Sequence, residues 1–199
     1  MTDATATKLH LFVGHPRDVS LCHSLADSYS RGAQTQGAEV RRQDMSAMEY
    51  DPDLSDGYGR RKMLEPDLFD FRENIEWADH LAWIYPTWWG GMPGKMKGLI
   101  DRCFLPGWAF QYHETGHGWD KLLSGKTADV ITTADTPAWY SKWGYNNAGK
   151  NTVVKQVLGF CGVKVTSYSQ FAPVKTASEK TLEDWKKRAH FYGAEAGRR

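Results

Sequence analysis

Short apolar runs alternate with longer segments of helical periodicity along the chain. Strands are predicted at five apolar runs, which lie at residues 8–13, 38–44, 79–85, 126–134 and 163–171. Helices are predicted between and after these runs, at residues 20–36, 66–77, 92–103, 151–161 and 178–193. Strands that alternate with helices in this way predict a doubly wound α/β sheet with helices on both faces.

Nothing in the pattern divides the chain. It has 199 residues without an internal repeat, a low-complexity tract or a linker-like stretch, so we expect residues 1–199 to form a single domain. Two long loops are expected, at residues 45–65 and 104–125, and the second is rich in aromatic side chains.

The composition limits the kinds of partner and the cellular compartment that we expect for the protein. Lys and Arg number 25 against 24 Asp and Glu, so no net charge favours nucleic acid or an anionic membrane as a partner. The three cysteines form no CxxC motif, which favours a reducing compartment. The N-terminal residues lack the apolar core of a signal peptide, and no apolar run approaches about 18 residues. We therefore expect a cytoplasmic protein without a membrane insertion.

Candidate chemistry is expected where the first, third and fourth strands end, because doubly wound sheets bind ligands at that edge. After the first strand, Ser20 stands at the predicted N-cap, and the amides of Leu21 and Cys22 would form the positive end of a helix dipole. With His15 and Arg17 nearby, this end suits a phosphate group. The alternative is an ordinary N-cap with a solvated arginine.

The other two loops offer an aromatic wall and a polar edge. In "PTWWGGMP", the backbone amides could bind a planar heterocycle, the indole rings could stack on it, and the glycines would let it approach. The alternative is that both tryptophans fill the core. In "TTADTPAWY", hydroxyl groups and Asp135 lead to Trp139 and Tyr140. Together the three loops describe a site for a flavin nucleotide.

One literal motif match points to different chemistry. Residues 113–117, "HETGH", fit the HExxH pattern of zinc proteases, in which a helix places both histidines on one face. Glycines flank the second histidine, and the stretch lies inside the second long loop. We therefore expect a binding loop or a surface turn there and no metal site.

A longer stretch at residues 77–112, "WADHLAWIYPTWWGGMPGKMKGLIDRCFLPGWAFQY", resembles the NAD(P)H:quinone oxidoreductases of the DT-diaphorase type, a family of flavodoxin-like flavoproteins. "HPRDVS", "TTADTPAWY" and "LGFCG" fall in the same order and at similar spacing, so the resemblance spans about residues 8–170. It implies the flavodoxin-like strand order 2-1-3-4-5 and a homodimer with a flavin at each interface site.

The resemblance also implies roles for individual residues. The residues expected to hold the flavin are His15, Arg17, Ser20, Leu21, Cys22, Pro86, Thr87, Trp88, Trp89, Gly90, Thr133, Ala134 and Asp135. Tyr140 would stabilise charge on the reduced ring. The aromatic residues expected to stack a nicotinamide and then a quinone are Trp108, Phe110, Tyr112, Trp139 and Tyr140, with dimer packing as the alternative role.

The chain departs from the family pattern in two places, at three residues. Ala134 and Asp135 stand where the best-known members have two glycines, and Asn146 stands near the place of the family's histidine. Proton handling would then depend on Tyr140, on a loop histidine such as His113, or on backbone dipoles.

The expected activity is an NAD(P)H-dependent, two-electron reduction of quinones or similar flat acceptors, with NAD(P)H as co-substrate in ping-pong order. The alternative is a flavin-binding regulatory or sensor protein that acts on a transporter or another partner. The long loop at residues 45–65 resembles the longer members of the family, whose equivalent region helps cover an adenosine, and this likeness implies FAD. Arg17 beside a helix N-terminus would serve the terminal phosphate of FMN equally well.

Overall fold

The computed structural model describes residues 6–55, 57–60 and 62–199. Its strands, in chain order, are β1 (Lys8–Val13), β2 (Glu39–Asp44), β3 (His80–Pro86), β4 (Phe110–Tyr112), β5 (Trp119–Lys121), β6 (Thr127–Thr133) and β7 (Lys164–Phe171). Five of them form a parallel sheet in the order β2-β1-β3-β6-β7. With the short strands β4 and β5 left out of the count, this order is the predicted 2-1-3-4-5, so the predicted fold class is confirmed.

Helices cover both faces of the sheet. They are α1 (Leu21–Gln34), α2 (Pro66–Trp77), α3 (Gly94–Cys103), α4 (Ala138–Trp143), α5 (Ala148–Asn151) and α6 (Glu179–Gly197), and a π-helix at Thr152–Leu158 continues α5. In the described part of the chain, none of them is both long enough and apolar enough to cross a bilayer.

The core consists of two apolar layers, one on each face of the sheet. Leu9 and Leu11 of β1 pack with α1 and α6, while Phe12 packs with α2 and α3 on the other face, as the two-residue period of a strand requires. Every residue of β3 is buried, because this central strand is covered on both sides. The runs that form β1, β3 and β6 are therefore strands buried on two faces, whereas β2 and β7 at the edges of the sheet are only partly buried.

Two regions differ from their predicted form. Residues 104–125, expected as a loop, contain an antiparallel hairpin in which Phe110 pairs with Lys121 and Tyr112 with Trp119. Two short aromatic runs around a glycine-rich turn are the signal that the loop prediction overlooked. The helix predicted at residues 151–161 is instead α5 followed by the π-helix, where the Thr152 hydroxyl donates to the Ala148 carbonyl at 3.0 Å and so competes with the regular helical ladder.

The long loop at residues 45–65 is anchored to α3. The Arg102 guanidinium, 1% exposed, donates to both carboxylate oxygens of Glu65 and to the carbonyls of Asp51 and Met63. The Lys95 ammonium donates to the backbone carbonyls of Met45 and Met48, at the start of the loop. The Lys95 bonds hold the start of the loop at the beginning of α3, and the Arg102 bonds hold its later part at the end of α3.

Candidate functional site

Three loops meet at the carboxyl edge of the sheet, because β1, β3 and β6 are neighbouring parallel strands. The rings of His15 and Trp88 lie 5.9 Å apart, which joins the first loop to the second. The Thr87 amide donates to the Thr133 carbonyl at 2.7 Å, which joins the second loop to the third. The Sγ atom of Cys22 lies 3.4 Å from the Thr133 hydroxyl, which joins the start of α1 to the third loop. The structure therefore brings the three predicted loops together.

The start of α1 presents backbone amides at this edge. Ser20 is the N-cap residue, as predicted, but its hydroxyl pairs with Nδ1 of His23 at 2.8 Å and makes no bond to the helix backbone. The amides of Leu21 and Cys22 open the helix, so they have no acceptor within it. An anion placed here would meet these donors and the positive end of the helix dipole.

His15 is a second donor beside the helix start. Its side chain is 6% exposed, and its Nδ1 accepts the Arg17 amide at 3.1 Å, so the ring proton of the neutral form is on Nε2. Burial, with the nearby Arg17 and His23, lowers the pKa of His15 below its ordinary value. His15 is therefore a neutral N–H donor near neutral pH.

Residues 88–91 form a tight two-residue turn that carries an exposed indole. Trp88 and Gly91 exchange both backbone hydrogen bonds, at 2.9 and 3.0 Å, and the central residues Trp89 and Gly90 have φ values of 51° and 75°. A left-handed tryptophan is a rare and costly conformation that is typical of ligand-binding turns. The Trp89 side chain is fully exposed, and a Cβ atom on Gly90 would meet no protein atom within 4 Å. The space in front of this turn is open to a ligand.

An open cavity of about 640 Å³ lies beside the turn. Its lining includes five of the predicted flavin-binding residues: Thr87, Trp89, Gly90, Ala134 and Asp135. Gly91 also lines it, as expected for the glycines of the "PTWWGGMP" loop. Sequence reasoning missed the rest of the lining, which comprises Tyr85, Thr136, Ser141, Tyr145, Asn147, Ala148, Gly149, Lys150, Tyr168 and Gln170.

Five of the missed residues belong to the segment between α4 and the π-helix. Asn146 and Asn147 are both left-handed, with φ values of 50° and 53°, and they turn the chain back toward the sheet. A Cβ atom on Gly149 would lie 2.3 Å from the Gly90 carbonyl, so the segment rests directly on the turn at residues 88–91. The asparagine pair is a turn signal in the sequence, but its packing partner is not visible there.

Tyr140 and Trp139 lie on α4, at the outer side of the site. The Trp139 side chain is 65% exposed, and the Tyr140 ring packs edge to face against Tyr145. Of the two tyrosines, Tyr145 lines the cavity. The catalytic role of Tyr140 stays a prediction from the family resemblance.

Four predicted residues lie at the opposite edge of the sheet. Trp108 donates its indole N–H to Glu76, just before β3 begins, and the Phe110 ring lies 5.0 Å from that of Phe160, just before β7 begins. Tyr112 follows Phe110 on β4, and Nε2 of His113 lies 3.0 Å from the Asp120 carboxylate across the hairpin. Within one chain the structure does not bring these residues to the cavity.

The "HETGH" stretch forms the turn of the β4-β5 hairpin rather than a helix, so its two histidines do not share a helical face. Among the residues that the structure describes, no group of three or more histidine, cysteine or acidic side chains could hold a metal ion.

Burial raises the pKa of the Cys22 thiol to about 11, which leaves it protonated and a poor nucleophile near neutral pH.

Comparison with known proteins agrees with this geometry. The chain matches the family described as "Flavodoxin-like fold" over residues 7–190, and it belongs to that family. Among its relatives, the human ribosyldihydronicotinamide dehydrogenase (quinone) is 29% identical over 189 residues, which cover 81% of this chain and 78% of the relative. The rat NAD(P)H dehydrogenase (quinone) 1 is 26% identical over 205 residues, and the match covers 89% of this chain and 74% of the rat protein.

A solved structure shows the same likeness. The NAD(P)H:quinone oxidoreductase from Methanothermobacter marburgensis superposes with a TM-score of 0.79 at 25% identity, and the match covers 95% of this chain and 98% of the other. The resemblance to NAD(P)H:quinone oxidoreductases stated from the sequence is thus confirmed.

Proposed function

We propose that the protein is a flavin-dependent oxidoreductase that catalyses NAD(P)H + H⁺ + quinone → NAD(P)⁺ + hydroquinone, or the corresponding reduction of another flat acceptor. The observation that supports this most directly is the turn at residues 88–91, which opens an exposed indole and unobstructed glycine backbone onto the cavity. The quinone reductases to which the chain is similar favour the enzyme over the regulatory alternative.

A flavin nucleotide suits the chemistry of this edge. The amides of Leu21 and Cys22 and the Nε2–H group of His15 are donors for phosphate oxygens, while Trp89 and Gly90 offer a surface for a flat ring. When bound, the flavin would supply the hydride chemistry, and the protein would orient the ring and exclude water from one side of it.

Asp135, which stands where the best-known family members have a glycine, leaves room for the flavin ring. One carboxylate oxygen of Asp135 accepts the backbone amide of Lys175 at 2.7 Å, which holds this charge toward the loop before α6. Ala134 is the smallest side chain other than glycine, and it lines the cavity. Thr133, Ala134 and Asp135 therefore remain suited to the polar edge of a flavin.

We propose FAD as the flavin, with FMN as the alternative. The loop at residues 45–65 begins next to Asp44, whose carboxylate lies 3.8 Å from Nε2 of His23 at the proposed phosphate site. This position would let the loop cover an adenosine extension. The near-zero net charge and the free, buried cysteines support a cytoplasmic location.

A homodimer would explain the aromatic residues at the far edge. Trp108, Phe110 and Tyr112 do not reach the cavity of their own chain, and the Tyr112 ring is 56% exposed. In a dimer these rings would be placed to cover the cavity of the partner copy, which is the arrangement that the resemblance implies.

Two measurements on the purified protein test the proposal. Protein prepared with added FAD and FMN should be yellow, and denaturation followed by chromatography should release one of the two in stoichiometric amount. The loaded protein should oxidise NADH or NADPH steadily with menadione or benzoquinone. A regulatory flavoprotein would bind the flavin without turnover, and a colourless protein would refute the site altogether.

A further inference from the structure

Lys150 places an unpaired positive charge in the cavity. Among the described lining residues, the charged side chains are Lys150 and Asp135, and the carboxylate of Asp135 is engaged by the Lys175 amide. No carboxylate in the described part of the chain forms an ion pair with Lys150, whose ammonium instead lies 5.2 Å from the centre of the Tyr168 ring. Lys150 is half-buried, and a cation without a protein counter-ion in a cavity favours a negatively charged ligand.

The backbone that carries Lys150 is held in place at the neighbouring glycine. Gly149 lies so close to the Gly90 carbonyl that a Cβ atom would be 2.3 Å from it, so Lys150 emerges from a segment held against the turn at residues 88–91. Lys150 therefore cannot follow a flexible loop out of the cavity. Its side chain therefore starts from a fixed point beside the wall where a flat ring would stack.

The surrounding phenols do not neutralise the charge. Burial raises the pKa of both Tyr85 and Tyr168, so these side chains are uncharged near neutral pH. They contribute an aromatic wall on the sheet side of the cavity, and the Tyr168 hydroxyl is paired with the Thr132 hydroxyl at 3.2 Å. This end of the cavity is thus aromatic and positively charged, and the one acidic side chain among the described lining residues, Asp135, forms no ion pair with Lys150.

We propose that Lys150 recognises an acidic substituent on the flat acceptor, so that quinones bearing a carboxylate or sulfonate group are preferred to their neutral parents. This inference rests on the proposed function, because it names the acceptor class for the same cavity. The flavin ring is proposed for the same cavity of about 640 Å³, so the acceptor would bind beside it in the space that the ring leaves open. The other anionic ligand of such an enzyme is the diphosphate of NAD(P)H, and the experiment separates the two.

Turnover with a matched pair of acceptors tests the assignment. The holoenzyme and its Lys150→Met, Lys150→Arg and Lys155→Met variants are assayed with 1,2-naphthoquinone and with 1,2-naphthoquinone-4-sulfonate. Lys155 is exposed on the π-helix, so its variant removes the same charge without touching the cavity. We expect Lys150→Met to raise the KM of the sulfonated quinone about tenfold, as loss of a charge-assisted contact would. The neutral quinone should be unaffected, Lys150→Arg should restore most of the loss, and Lys155→Met should match wild type.

A binding measurement keeps the inference testable without turnover. Quenching of tryptophan fluorescence in the flavin-loaded protein is titrated with 2-naphthalenesulfonate and with neutral 2-naphthol, and Lys150→Met should weaken the sulfonate alone. An equal effect on both ligands, no effect on either, or a rise confined to the KM of NAD(P)H would overturn the assignment. If neither quinone is reduced by wild type, the proposed function fails, while the titration still decides whether Lys150 selects an anionic ring.

Discussion

The rings of Tyr140 and Tyr145 meet edge to face, with their centroids 5.1 Å apart and their planes at 88°. Tyr145 lines the cavity, while Tyr140 supports it from α4. The resemblance to quinone reductases assigns the phenol that stabilises charge to Tyr140. The geometry of this chain instead offers the Tyr145 phenol to a ligand in the cavity.

Two single substitutions separate these assignments. We expect Tyr145→Phe to lower kcat/KM for the quinone by at least about tenfold, because a hydrogen bond to developing charge contributes about 1.5 to 3 kcal/mol. Tyr140→Phe keeps the aromatic ring that packs on Tyr145 and should change kcat/KM less than threefold, about 0.65 kcal/mol or less. Steady-state kinetics at saturating NAD(P)H measures both values. A large loss in Tyr140→Phe with a near-normal Tyr145→Phe would restore the role implied by the family.

The sheet and its three ligand-facing loops were predictable because each depends on local pattern. Strands buried on both faces read as apolar runs, and the parallel order of β1, β3 and β6 then brings their following loops to one edge. Ser20 at the N-cap and the Trp-Trp-Gly-Gly turn lie where that logic places them. Each of these features is set by residues within a few positions of one another.

The rest of the cavity depends on contacts between distant segments, which spacing alone does not encode. Lys150 and Tyr145 reach the site because two consecutive left-handed asparagines reverse the chain and Gly149 then packs on Gly90. Tyr168 lines the cavity because β7 pairs with β6 in a register that includes a bulge after Ala128. The far-edge aromatics were grouped with the site by residue type, whereas the hairpin carries them away from it.

A negative charge at Ser20 should expel the flavin. Ser20→Asp would place a carboxylate beside the amides proposed to hold the phosphate, and repulsion between two such charges is worth several kcal/mol near a protein surface. We expect flavin affinity to fall by at least about tenfold. Titration of the apoprotein with FAD and FMN, followed by absorbance, gives the change.

The matched control for this change is Ser20→Asn. Asparagine is similar in size to aspartate and is equally favoured at an N-cap, but it is neutral, so it should keep the flavin. Ser20→Asp should leave the melting temperature of the apoprotein unchanged or slightly higher, since an acidic N-cap stabilises a helix. If Ser20→Asp keeps the flavin content of the wild type, the flavin phosphate does not bind at this position.

The contact between Gly149 and Gly90 should be sensitive to a single methyl group. In Gly149→Ala the new Cβ atom would lie 2.3 Å from the Gly90 carbonyl, so the turn at residues 88–91 must shift. Overpacking of this kind costs about 1 to 3 kcal/mol, and we expect flavin affinity and quinone turnover to fall together. Gly94→Ala is the control, because a Cβ atom there would meet no protein atom within 4 Å. If the two variants bind flavin equally well, the turn does not form part of the flavin site.

His10 makes the stability of the fold dependent on pH. Its ring is fully buried in β1, with its centroid 5.4 Å from that of Phe71, and burial lowers its pKa to about 3. Between about pH 6.5 and pH 3, the unfolded chain therefore binds a proton at His10 that the folded protein does not. The free energy of unfolding must fall as pH decreases through this window.

Replacing His10 by leucine should remove this dependence. Between about pH 7 and pH 5, linkage for one such histidine amounts to about 2 kcal/mol, so wild type should lose about that much more stability than His10→Leu. Urea unfolding at both pH values and a constant flavin concentration measures the difference, since bound flavin would otherwise shift the result. Equal losses in the two proteins would mean that His10 is protonated in the fold or accessible to water.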